Sequence, residues 1–180
     1  MNECLICERI ELIKKGRNKY FVTELETGYV VIGDHQYFEG YTLFLSNVHK
    51  HELHELNRGD KEKFLVEMSK VSEAVYHAFK PDKLNYELLG NGDAHMHWHI
   101  FPRRLSEPNP EWPVWWTSKE TMYADRVKPS NRELEALKST LLFELKKINV
   151  TFLGKTNENL EKSILKNSLP IARGLELPVR

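Results

Sequence analysis

Apolar positions recur along the chain in two rhythms. Between Asp60 and Phe79, residues Phe64, Leu65, Met68, Val71, Val75 and Ala78 fall at helical spacing and define one face of a long helix. Asn57 is positioned as its N-cap, and Pro81 prevents it from continuing. A second helix is predicted from Ser130, where Ser130 and Glu133 form a capping-box pattern, with Leu134, Leu137, Leu141, Leu142, Leu145 and Ile148 as its apolar stripe. A short amphipathic helix is predicted over Glu8–Lys15. The other rhythm is that of strands. Tyr20–Leu25 and Tyr29–Ile32, separated by Glu26, Thr27 and Gly28, read as a hairpin. Tyr41–Leu45 follows Gly40, and Leu84–Leu89 and Met96–Phe101 flank a turn at Gly90-Asn91-Gly92-Asp93. This order predicts an α+β fold with a mainly antiparallel sheet, one long core helix and a C-terminal helical extension.

The character of the chain changes near residue 104. Pro108, Pro110 and Pro113 alternate with Trp112, Trp115 and Trp116, which excludes a helix or a central strand there. Three stretches follow from this: residues 1–104, a Pro/Trp-rich connection over 105–129, and an extension over 130–180 expected to pack on the first. At 180 residues, 41% hydrophobic and 29% charged, the composition is that of a globular protein. Lys+Arg and Asp+Glu number 26 each, so no global field attracts nucleic acid polymers or anionic lipid. No run is long and apolar enough to span a bilayer, and the first residues lack the pattern of a secretory signal. A cytoplasmic protein is expected. In that setting the two cysteines, Cys4 and Cys7, suggest a metal knuckle or redox couple before a structural disulfide.

The sharpest chemical signal is His95-Met96-His97-Trp98-His99. On a strand the three histidines point one way, while Met96, Trp98 and Ile100 point the other and bury against the core helix. The histidines are then held on a rigid element and exposed above the sheet. His95 and His99 lie about 13 Å apart along a strand at ~3.3 Å per residue, too far to share one ion. Imidazole titrates near neutrality and suits a nucleophile, a proton donor or a phosphate ligand. A solvent-facing strand would also tolerate histidines, but strict alternation opposite a bulky apolar face argues for function.

With Pro102-Arg103 after it, and Gly40-Tyr41-Thr42-Leu43-Phe44-Leu45 leading to Val48-His49 before it, this motif resembles the signature of the histidine triad (HIT) family over about residues 4–104. The resemblance implies a HIT-like catalytic domain, a homodimer, and attack by His97 on a nucleotide α-phosphate to form a covalent nucleotidyl-histidine. His99 would contact phosphate oxygens and help protonate the leaving group. A histidine at 99, where related sugar-nucleotide transferases carry glutamine, favours a hydrolase. Dinucleoside polyphosphates such as diadenosine tetraphosphate are the leading substrate class, followed by adenylyl phosphoramidates. The alternatives are a nucleotidyltransferase or phosphorylase of the same superfamily and a non-catalytic nucleotide- or metal-binding protein.

Some HIT proteins pair an N-terminal cysteine knuckle with two histidines. That resemblance implies a structural zinc on Cys4, Cys7, His49 and His95, with His51 and His54 as rival ligands. Residues His35 and His77 receive no chemistry. Asn85 occupies a position where the family often carries a polar residue near substrate. Asn91 and Gly92 are candidates to bring amide groups to phosphate, although an ordinary hairpin turn explains them equally. The family's usual ribose-binding acidic or amide position falls at Gly33, and the neighbouring Asp34 takes that role only if the register slips. The tryptophans are expected to form a base-stacking lid, a dimer interface or an anchor for the connection.

Overall fold

The computed structural model describes residues 4–148 and the strand 152–156. Six strands form one antiparallel sheet in the order β4-β5-β3-β2-β1-β6. They are β1 Phe21–Leu25, β2 Gly28–Ile32, β3 Thr42–Ser46, β4 Lys83–Glu87, β5 His97–Arg103 and β6 Phe152–Thr156. The helices are α1 Leu5–Lys14, α2 Arg58–Phe79, the single turn α3 Lys119–Met122, and α4 Asn131–Lys147.

Helix α2 forms where its apolar rhythm predicts. Asn57 caps it by accepting from the Asp60 N–H, and Lys80 turns left-handed (φ 47°) immediately before Pro81. Phe64, Val71 and Val75 meet Val22, Val30, Phe44 and Ile100 on one sheet face. Helix α4, opened by the Ser130/Glu133 capping box, adds Leu134, Leu141, Leu142 and Leu145 to the same core. The other face is covered by α1, whose Ile6, Ile10 and Ile13 pack on Tyr29, Val31 and Leu45. Because β2 is sandwiched between these layers, all five of its residues are buried.

Four expectations are corrected. α1 begins at Leu5 rather than Glu8, because the Cys4 sulfur accepts the Cys7 N–H and acts as the N-cap. The strand predicted to run to Leu89 ends at Glu87, and residues 88–96 form a loop wider than a tight hairpin. Pro102 lies within β5, tolerated because β3 pairs only as far as Ile100 and leaves that end with a single neighbour. The extension is not wholly helical: β6 pairs with β1, and residues beyond 156 lie outside the described residues.

A buried carboxylate contributes a contact that the apolar pattern does not announce. Glu67 on α2 accepts from the N–H groups of Glu26 (3.0 Å) and Thr27 (2.9 Å) and from the Thr27 hydroxyl. The β1–β2 turn is thereby pinned to the core helix.

Candidate active site and metal centre

The register of β5 sets the site. His97 pairs opposite Leu45 and His99 opposite Leu43 on β3, with Glu87 of β4 on the other side of His99. These side chains face the α1 layer, while Met96, Trp98 and Ile100 join the α2 core as the alternation requires. The histidines are not open above the sheet, however. His95 is 1% and His97 5% exposed, and His95 precedes the strand. The chain covers them itself, through α1 and the residues after β3, where Lys50 O accepts the Met96 N–H.

His97 Nδ1 lies 2.6 Å from the carbonyl of His95. A carbonyl only accepts, so Nδ1 carries the proton and Nε2 keeps its lone pair. The His99 ring stands 4.6 Å from the His97 ring. Burial, then the neighbouring His97, pulls the His99 pKa down to about 3, so it is neutral at physiological pH. Tyr41 Oη lies 2.5 Å from His99 Nδ1. His97 and His99 line a cleft of about 250 Å³ together with Leu5, Ile6, Arg9, Asp34, Asp93 and Tyr123. Arg9 grips both carboxylate oxygens of Asp34 at 2.7 and 2.6 Å, and the Asp34 carboxylate raises the Arg9 guanidinium above its ordinary value. Asp34 lines the same cleft. A larger depression of about 790 Å³, between α2, α4 and residues 126–129, is lined by neither histidine nor cysteine.

Other expected contacts fall elsewhere. Asn91 and Gly92 are exposed on the 88–96 loop and do not line the cleft, and Asp93 takes that place. Asn85 accepts from Arg103 (2.7 Å), which also binds Glu107 (2.8 Å) and the carbonyl of Trp112 (2.8 Å). Asn85 therefore helps hold the Pro/Trp segment against β4 rather than facing the cleft. Trp115 donates its indole N–H to Glu87 and sets its ring edge-on to His99 at 5.7 Å. Val114 and Met122 bury against Phe38 and Phe101, so this connection is anchored on the sheet, while Trp116 is 67% exposed. Arg9, Tyr41, Asp93 and Tyr123 line the cleft as well, and the histidine ladder alone does not point to them. For Tyr41 a signal existed, because strand alternation puts it on the histidine face with Leu43 and Leu45.

Beyond His97, the chain brings Cys4, Cys7, His49 and His95 together, with all four donor atoms within 4.8 Å of one another. His95 Nδ1 lies 3.7 Å from Cys4 Sγ and 3.4 Å from Cys7 Sγ, and His49 Nδ1 lies 3.2 Å from Cys7 Sγ. Tetrahedral zinc with Zn–S near 2.3 Å and Zn–N near 2.1 Å separates its ligands by about 3.3–3.8 Å, so the donor set fits. The second ring nitrogen of His95 donates to Ser46 O at 2.9 Å, which leaves Nδ1 as the ligating atom. Burial lowers the His95 pKa and keeps the ring neutral, as ligation requires. His51 touches the far nitrogen of His49 (3.3 Å) instead of joining the cluster, and His54 is also outside it.

A model of the HIT domain matches residues 17–106, half of the chain, and the protein belongs to that family. Similar solved structures carry the same fold. A histidine triad protein from Marinobacter aquaeolei is 22% identical, covering 71% of this chain and 89% of its own, with a TM-score of 0.62. One from Bradyrhizobium japonicum is 23% identical over 69% of this chain and 89% of its own, with a TM-score of 0.62. A Zn-bound family member from Mycobacterium smegmatis is 16% identical over 82% of this chain and 96% of its own, with a TM-score of 0.57. No curated protein matches. Among the described residues no helix is long and apolar enough to cross a membrane.

Proposed function

We propose that this protein is a nucleotide hydrolase acting at an α-phosphate through a covalent intermediate on His97. The observation that carries this reading is the His97 Nδ1 bond to the His95 carbonyl, which leaves a nucleophilic Nε2 beside His99 at a cleft. Nε2 attacks the α-phosphorus, a P–N bond forms, and the bond to the leaving group breaks with its electron pair. His99 donates a hydrogen bond to a phosphoryl oxygen, where charge gathers in the transition state. Water then cleaves the P–N bond, releasing the nucleotide and restoring His97. Phosphoanhydrides of the dinucleoside polyphosphate type and nucleoside phosphoramidates are the substrate classes. Asp34, held by Arg9, is the candidate contact for the nucleoside hydroxyls.

Cys4, Cys7, His49 and His95 are the proposed zinc ligands, supported by their spacing and by the Zn-bound M. smegmatis relative. Four protein ligands close the coordination shell, so the ion would cross-link α1 to the residues beside β3 and β5 and take no part at the phosphate. Residues 1–104 carry this chemistry, with 105–129 as the connection and 130–180 as the extension. A homodimer is supported by the outer edge of β4, which no strand covers among the described residues. A cytoplasmic setting agrees with two free thiols in one metal knuckle.

Intact-mass measurement after brief exposure to diadenosine tetraphosphate and to an adenylyl phosphoramidate tests the reading. An adenylyl adduct on the wild type that His97→Ala lacks is expected, with turnover lowered about 10³-fold or more. Undiminished turnover by His97→Ala would overturn it.

A further inference from the structure

Tyr41 sits at the entrance to β3 with its hydroxyl 2.5 Å from His99 Nδ1. Among the described residues that hydroxyl has no other hydrogen-bond partner, and His99 Nε2 has none. The ring is locked in place as well as aimed. It stacks on Phe101 at 4.2 Å with an interplanar angle of 5°, and lies parallel to His99. Its backbone accepts the Gly33 N–H at 2.8 Å. The ring also meets Gly33, where an added Cβ would come within 2.1 Å of the Tyr41 ring. Any side chain at position 33 therefore competes with Tyr41 for one space.

We propose that Tyr41 is a positioning residue that donates its phenolic proton to His99 Nδ1 and fixes His99 as the neutral Nε2–H tautomer, with Gly33 leaving the room its ring needs. The hydrogen-bond inventory selects this direction. If Nδ1 carried the proton, the phenolic oxygen would accept from it and the O–H, turned away, would have no acceptor, a buried donor left unpaired. Burial also holds the Tyr41 phenol well above its ordinary pKa, so the hydroxyl keeps its proton to give.

The two histidines then carry opposite tautomers. His97 offers an Nε2 lone pair, and His99 offers an Nε2–H. The consequence deepens the proposed hydrolase reading, on which it rests, by selecting the leaving group. A neutral His99 that surrendered its Nε2 proton would become an imidazolate, because Nδ1 has none. It can donate a hydrogen bond to the phosphoryl group but cannot act as the acid. In a phosphoanhydride the breaking P–O bond releases an already ionised phosphate oxygen, which needs no proton. In a phosphoramidate the breaking P–N bond releases an amine nitrogen, which does. The site is therefore matched to phosphoanhydrides of nucleotides over phosphoramidates.

Long-range 15N–1H correlation spectra of the zinc-loaded, 15N-labelled full chain read the ring nitrogens directly. In the wild type His99 should show a protonated Nε2 and a lone-pair Nδ1. Tyr41→Phe should yield a mixture of tautomers, and Gly33→Ala, which displaces the Tyr41 ring, should do the same. kcat/KM for diadenosine tetraphosphate should fall about tenfold or more in Tyr41→Phe, because the tautomer that protonates Nδ1 leaves Nε2 without a hydrogen to donate to the phosphoryl oxygen. A protonated Nδ1 in the wild type, or a His99 tautomer unchanged in both variants, overturns the proposal. A chain inert to every nucleotide but carrying the expected tautomer sinks the hydrolase reading and leaves the lock standing.

Discussion

His99 ties the chemistry of the site to the stability of the chain. Its folded pKa of about 3 lies below the unfolded value near 6.5. As pH falls below 6.5 the unfolded chain binds a proton that the folded chain refuses, so stability is lost with falling pH. Between pH 7 and pH 5 this one ring should lower the unfolding free energy by about 2 kcal/mol. Urea titrations at the two pH values should show that loss in the wild type and a correspondingly smaller one in His99→Asn; equal losses would dismiss the linkage. Glu67 makes a different kind of prediction. Replacing it by Ala strands two backbone N–H groups and a hydroxyl, and should cost about 2–4 kcal/mol of stability without moving the histidines. A change of less than ~0.5 kcal/mol in the urea midpoint analysis would mean that water replaces the carboxylate. Glu67 was not legible in the sequence because its neighbours Phe64, Met68 and Val71 mark an apolar face, on which an acid has no expected partner. The partner is the turn of a distant hairpin, and local spacing carries no trace of it.

Elements were easier to read than contacts between them. The long helix, the capping box at Ser130 and the alternation around Trp98 each follow from a local rule, and the folded chain obeys all three. The start of α1 and the burial of the triad did not follow, for one shared reason. Cys4 caps α1 while its sulfur also belongs to the donor cluster, and α1 then covers the histidine face of the sheet. This makes α1 the element whose order should depend on metal. Its residues Leu5, Ile6 and Arg9 form one wall of the cleft, so loosening α1 also releases Asp34. Metal analysis should find about one zinc per chain, lost in Cys7→Ser. Hydrogen exchange should then show Ile6–Lys14 losing protection while α2 keeps its own. If α1 stays equally protected after the metal is removed, its hydrophobic contacts with Tyr29, Val31 and Leu45 suffice alone.

At the scale of the whole molecule, the family match ends at residue 106, yet the core does not. Leu134, Leu141, Leu142 and Leu145 of α4 are each at most 2% exposed and share a cluster with α2 and the sheet. Burying four such leucines contributes about 6–12 kcal/mol, comparable to the entire net stability of an ordinary domain. α4 packs beside α2, and β6 adds a strand outside β1, so the extension covers one edge of the sheet and part of one face. A fragment of residues 1–106 would therefore expose the α2 surface that α4 covers and lose β6 from the sheet. It should fail to unfold cooperatively, whereas the full chain should melt in a single transition. Calorimetry on the two decides the matter. A cooperative transition for residues 1–106 at the full-length midpoint would make the extension an accessory; its absence would mean that the histidine cleft depends on a core completed by residues beyond the family match.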